Sequence, residues 1–386
     1  DQTIGEQSPY GYGTIYDKET INQALKSSDP FSIVPHTDEW GIGTALTGIA
    51  AGYSRSSECT YEGVAPEAEI AVVKLKPANH AMQEIYYSKY NPLGFSALDV
   101  ALALQYLVDL ATRLHRPISI CLPLGNNNGS HDGTGVLDDL LRSYGQNQGI
   151  SIILSVGEEG NQAHHASGDL SDEIEQEITL NIPKGQGGFL LEIWARFGDR
   201  FDVYLTPPQI GATVPPTVLL NEAKTHPLGK DSSVWSQGSA IDRNTGSKVI
   251  RFRLNNPVPG HWIITVKGII VIDGRYNLWI PKTGMIMPET ILSPANPFTT
   301  IYNAASTVGV IAVGCYDSNA TATYPSSGRG FTRDDRVKPD FIVGGVKVPA
   351  PVPNNKFGLI TGTAPSSSIA VGICSLLYEQ QMLEGK

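Results

Sequence analysis

Several features that would assign a chain quickly are missing here. The 386 residues hold four cysteines, Cys59, Cys121, Cys315 and Cys374, all far apart. They form no Cys-x-x-Cys pair and no metal-ligand spacing, so they read as buried unpaired thiols and no metal is expected. No run of about 18 apolar residues occurs, which leaves nothing to span a bilayer as a helix. Cations are scarce: Lys+Arg 28 against Asp+Glu 38 gives a net charge of -10. That balance argues against a nucleic-acid partner and against an anionic membrane surface. The opening, Asp1-Gln2-Thr3-Ile4-Gly5, lacks the build of a signal peptide. It reads as an internal stretch of a longer protein.

What is present is ordinary globular composition, 41% hydrophobic and 17% charged. The length predicts about two domains. Helices are expected over Lys18 to Lys26, Gly43 to Ala51, Ser96 to His115 (with a Ser96/Asp99 capping box) and Val136 to Tyr144. Strands are expected over Glu69 to Leu75, Ile118 to Leu122 and Ile150 to Val156. Alternating strand and helix predicts a parallel sheet flanked by helices. From about Asp172 to Pro281 the helical period disappears. Short strands follow one another there, with Asp273-Gly274 as a hairpin-type turn. An antiparallel sandwich or jelly roll is expected for that stretch. The first pattern then returns with strands over Val308 to Val313 and Lys338 to Ile342 and a final helix to about Leu377. The expected division is 1–170, 171–290 as an inserted β domain, and 291–386.

One stretch organises the rest: Ile360-Thr361-Gly362-Thr363-Ala364-Pro365-Ser366-Ser367-Ser368. It reads as a tight Gly-Thr turn opening an apolar helix, and a helix N-terminus is a place where anions and nucleophiles are held. Together with Gly41-Ile42-Gly43-Thr44, Gly63-Val64-Ala65-Pro66 and Lys338-Pro339-Asp340, it resembles the subtilisin-like serine proteases. The order and spacing of these stretches make the resemblance specific. The β insert, Gly133-Thr134 and His164-His165-Ala166-Ser167-Gly168 narrow it to the Csp proteases of clostridial spores. It covers nearly the whole chain.

The resemblance implies a nucleophilic Ser where this chain has Ala364, a general-base His where it has Ile42, and an oxyanion Asn where it has Glu158. A methyl group and an aliphatic branch carry no proton chemistry. Losing an oxyanion donor alone costs about 10²–10³ in turnover. Ser366 lies roughly 200° round the helix from Ala364 at about 100° per residue, and Ser367 and Ser368 sit a turn deeper, so rescue by these serines is not expected. His36 reads as a loop histidine, and Glu158 as a solvated or cation-paired carboxylate. Asp17, Asp29 and Asp38 lie in polar surroundings, and the family's catalytic Asp is expected upstream of residue 1. The substrate-binding edge matches Leu122-Pro123-Leu124-Gly125, where Pro123 has no N–H to offer.

The expectation from these residues is a pseudoprotease, not an enzyme, without cofactor. The resemblance implies a regulator of germination in the bacterial spore, cortex or coat region. It would act through other Csp proteins, a cortex-lytic enzyme precursor or a small-molecule germinant. A weak serine endopeptidase acting on such a precursor is the second expectation. The third is a glycan-binding β insert that uses Trp194, Trp235, Trp262 and Trp279 as stacking faces.

Overall fold

Ser96 starts the longest helix of the first half. Its hydroxyl accepts the Leu98 N–H at 3.2 Å, and α-helical geometry then holds from Ala97 to Leu114. The expected capping box does not close. The Asp99 carboxylate instead takes the Tyr12 hydroxyl at 2.6 Å and faces the Lys76 ammonium. Val100, Leu104, Val108 and Ala111 recur at helical spacing and are all buried.

The coordinates are a computed structural model that describes residues 1–3, 8, 10–53, 61–86, 94–208, 214, 223–354 and 356–385. Ile4 and Cys59 lie outside the described residues. The helices are α1 (Lys18–Lys26), α2 (Ile42–Ala51), α3 (His80–Ile85), α4 (Ala97–Leu114), α5 (Val136–Gly145) and α6 (Thr363–Leu383). The first strands are β1 (Ile118–Leu122) and β2 (Ile150–Ser155). The inserted strands are β3 (His165–Asp169), β4 (Glu175–Ile182), β5 (Phe189–Ala195), β6 (Arg200–Thr206), β7 (Ala223–Pro227), β8 (Ser233–Ile241), β9 (Lys248–Asn255), β10 (Gly260–Ile270), β11 (Arg275–Trp279) and β12 (Ile291–Ser293). Then come β13 (Ile311–Asp317), β14 (Ala322–Thr323), β15 (Phe341–Gly344), β16 (Val348–Val352) and β17 (Lys356–Ile360).

The central sheet runs β1-β2-β13 in parallel, with β15 parallel and β14 antiparallel on β13. Its strands are near-continuous apolar runs, as burial on both faces requires. Leu104, Val108, Leu141, Ile152 and Leu154 form the core beneath α4 and α5. Ile153, Val313 and Ala370 form the core beneath α6 on the other face. The expected strand over Glu69 to Leu75 is not there. Ile70 and Val72 are exposed, and the Lys74 carbonyl takes only the Gln2 N–H. Among the described residues no neighbouring strand is placed to satisfy its backbone, and without a partner an apolar extended run is not a strand.

The insert consists of two antiparallel sheets, ordered β12-β4-β10-β6 and β3-β11-β5-β9-β8-β7. Their facing sides alternate with period two and enclose one core; along β10, Trp262, Ile264 and Val266 point inward. An antiparallel two-sheet unit was expected, but four plus six strands is not the eight-stranded jelly roll. The Asp273-Gly274 turn joins no hairpin either. It carries the chain from β10 in one sheet to β11 in the other, and the buried Asp199 carboxylate accepts the N–H groups of Ile272, Asp273 and Gly274 to hold it. Trp194, Trp262 and Trp279 are buried. These three therefore offer no sugar-stacking face, which corrects the glycan-binding expectation.

A stack of rings joins the insert to the parallel sheet. Trp279 lies between His131, with centroids 4.0 Å apart, and His165, at 4.8 Å. Nearby, buried Glu192 accepts from the Gly129 N–H and from Arg251.

Candidate functional site

In an open α/β sheet the crevice forms where parallel strands end at their carboxyl termini. Here β1 runs out into Pro123-Leu124-Gly125 and β2 into Val156-Gly157-Glu158, and α6 starts beside them. Gly362 turns the chain into α6 with φ 141, a conformation suited to glycine. A Cβ at this position would meet the Glu158 carboxylate at 2.7 Å.

Glu158 is half-buried and, among the described residues, paired with no cation, where solvation or a cation partner was expected. Its Oε1 accepts the Thr363 N–H at 2.7 Å and the Thr363 hydroxyl at 2.8 Å. The same hydroxyl oxygen accepts the Gly157 N–H at 3.1 Å. A carboxylate thus caps the N-terminus of α6, where free N–H groups and the helix dipole favour negative charge. The position matched to an oxyanion donor is occupied by an acceptor that consumes donors.

Ala364 lies half-buried in the first turn of α6. The three serines after it are buried, Ser366 round the helix from it and Ser367 and Ser368 a turn deeper, as expected. Ser366 donates to the carbonyls of Val343 and Gly362, Ser367 donates to the Ala364 carbonyl, and Ser368 lies 3.7 Å from the Cys121 thiol. Ile42 opens α2 with its side chain 57% exposed. Asp38 caps that helix, accepting from the N–H groups of Gly41 and Thr44. Asp17 caps α1 in the same way through Thr20. Asp29 precedes the short 3-10 turn at Pro30–Ser32 and makes no side-chain cap bond to it. His36 pairs with the Asp1 carboxylate and stands 3.4 Å from the Lys74 ammonium and edge-on to Tyr16. Burial and Lys74 lower its pKa. None of these His36 partners is a site residue.

Pro123, Leu124 and Gly125 are half-buried along the rim. Pro123 contributes no donor, but the N–H groups of Leu124 and Gly125 have no hydrogen-bond partner among the described residues. An unspent donor on an extended rim is what an added peptide strand uses, and because successive N–H groups of a strand point to opposite sides, one such strand takes one of the two.

Two groups at the site carried no signal in the sequence. Tyr302 stands between the two rims, its N–H donating to the Val156 carbonyl at 2.9 Å. Glu159 is buried and accepts from His164 Nδ1 at 2.6 Å, the Thr283 N–H at 3.0 Å and Asn127 Nδ2 at 3.1 Å. Burial pushes its carboxyl up, but His164 and these donors outweigh burial and hold it below the usual carboxylate range. The Glu-Gly and His-His stretches could be seen in the sequence; that they pair could not. Among the described residues no group of His, Cys, Asp and Glu side chains could hold a metal, and no helix is long and apolar enough to cross a membrane.

The fold is that of the subtilisin-like proteases. The solved structure of the Clostridium perfringens CspB protease superposes with a TM-score of 0.85 and 27% identity, over 96% of this chain and 77% of that one. The prenylagaramide maturation protease PagA matches at TM-score 0.40 and 11% identity (91% and 69% of the two chains), and the PatG macrocyclase, solved with a peptide, at 0.39 and 12% (97% and 68%). No protein-family model matches the chain, and no curated protein does. The expectation that the chain is not an enzyme is overturned by the CspB likeness, because a protease superposes on almost all of it. That expectation rested on Ile42, Glu158 and Ala364, and three side chains read at matched positions do not settle what the whole fold does.

Proposed function

We propose that this chain is a subtilisin-like protease homologue of bacterial spore germination that seats an extended segment of a partner protein along its Leu124-Gly125 rim. The partner is a cortex-lytic enzyme precursor or another protein of the Csp kind, and binding it regulates germination at the spore cortex or coat. The observation that carries this reading is an extended rim with unspent N–H groups at the carboxyl end of β1, one of them available to a seated strand, within a scaffold that matches CspB. A small-molecule germinant bound beside the same rim belongs to the same reading.

The likeness to a protease favours a second reading, in which the seated segment is also cut. One experiment addresses both. The full chain is titrated with purified cortex-lytic enzyme precursor by calorimetry, and the mixture is then analysed by intact-mass spectrometry. Saturable binding that Leu124→Pro abolishes supports the seating. Binding that is indifferent to that substitution and slows amide exchange at neither Leu124 nor Gly125 removes it. New fragments of the precursor whose formation Leu124→Pro stops would establish cleavage.

A further inference from the structure

The crevice beside α6 has two glycine walls, and they are not two sides of an open slot. A Cβ built on Gly125 would lie 2.3 Å from Tyr302 Cδ2, and one built on Gly157 would lie 2.4 Å from Tyr302 Cζ. Real side-chain carbons do not approach so closely, so the phenol ring is in direct contact with the backbone of both rims. Glycine is required on each side because the ring is there. Tyr302 is 5% exposed. Its backbone N–H donates to the Val156 carbonyl. The Lys282 ammonium lies 5.5 Å from the ring centroid. A ring fixed at this many points is a settled part of the site.

We infer that Tyr302 is a built-in occupant of the side-chain pocket next to the Leu124-Gly125 rim, and that it restricts the seated segment to glycine or alanine at the residue facing that pocket. The steric argument is direct. The volume between the rims that a bulky side chain would enter is filled by the phenol, and interiors packed at crystal density admit no second ring. The chemical class of the bound segment is therefore an extended peptide with a small residue at one position, flanked by residues free to vary. The peptide part rests on the proposed seating. The occupied pocket does not.

The test separates the two. Tyr302→Ala removes the ring, and apolar cavities of that kind take up small aromatics. Para-cresol is the probe. In Tyr302→Ala it should raise the thermal midpoint in a saturable way, while the wild type and Tyr302→Phe, which keep a ring in place, should not respond. Tyr302→Leu, which fills the pocket in part and keeps the fold if the alanine variant unfolds, should respond weakly. No response in either the alanine or the leucine variant, with both folded, overturns the inference. A second arm uses extended peptides from the precursor with Gly, Ala or Phe at each position in turn. Wild type should favour Gly or Ala over Phe by at least tenfold at one position, and Tyr302→Ala should lose or invert that preference. If cresol enters but no peptide binds any variant, the ring still fills the pocket and it is the seating along the rim that fails.

Discussion

Acidification should weaken the joint between the β insert and the parallel sheet, and His165 allows the size of the effect to be worked out. Its ring is buried against Trp279, with Nε2 2.9 Å from Asn277 Oδ1 and Nδ1 3.1 Å from the Asn296 carbonyl. Burial outweighs these partners and lowers its pKa from 6.5 to about 4. A free histidine charges near 6.5, so between pH 6.5 and 4 the unfolded chain binds a proton that the folded chain refuses. Stability is therefore full above pH 6.5, falls as pH drops toward 4, and loses nothing further from this group below that. At about 1.4 kcal/mol per pH unit, the loss is about 3 kcal/mol. That is a large part of the roughly 5–15 kcal/mol that keeps a domain folded. His131 on the other face of Trp279 is also lowered to about 4, by burial first. Both of its ring nitrogens face carbonyl oxygens, of Ile301 and Asn127, and a neutral imidazole can donate to only one. Its shift, with those carbonyls included, equals that of His165, so His131 should contribute a similar amount. The assay is guanidinium denaturation at pH 7.5, 5.5 and 4.0 for wild type, His165→Gln and His131→Gln. The glutamine variants start weaker at pH 7.5 because the stack is lost. What matters is the fall between pH 7.5 and 4.0, which should shrink by about 3 kcal/mol in His165→Gln and by a similar amount in His131→Gln. An unchanged fall in His165→Gln would refute the reasoning. Glu159 cannot imitate the signal, because its depressed carboxyl loses its contribution only at lower pH.

Glu158→Ala removes the cap of α6 and should cost about 1 kcal/mol, with faster amide exchange at Thr363 as the local signature. Trp262→Ala in the insert core, which also loses the bond from its indole N–H to the Val258 carbonyl, should cost about 3–5 kcal/mol in chemical denaturation.

The elements that could be read from the sequence are those whose signals are local. β1 was legible to the residue, because Ile118–Leu122 is an apolar β-branched run closed by Pro117 and Pro123. α1 was likewise placed at Lys18–Lys26, and the structure adds the Asp17 cap that starts it. What failed depended on partners distant in sequence. Glu69 to Leu75 has the composition of a strand but, among the described residues, no strand beside it. Asp273-Gly274 has the residues of a hairpin turn, yet Asp199, some 70 residues earlier, holds it as a crossing between sheets. At the site, the matched positions Ile42, Glu158, Ala364 and Pro123-Leu124-Gly125 were found from motifs. Their arrangement was not. A carboxylate expected in solvent caps a helix 205 residues later in the chain, and a tyrosine in an unremarked loop fills the crevice.

The proposed seating is tested most directly by hydrogen exchange of two amides. One of the N–H groups of Leu124 and Gly125 should exchange at least tenfold more slowly when the full chain is saturated with cortex-lytic enzyme precursor, because a bound strand would accept the one on its side of the rim. Saturated binding that leaves both rates unchanged would contradict the account.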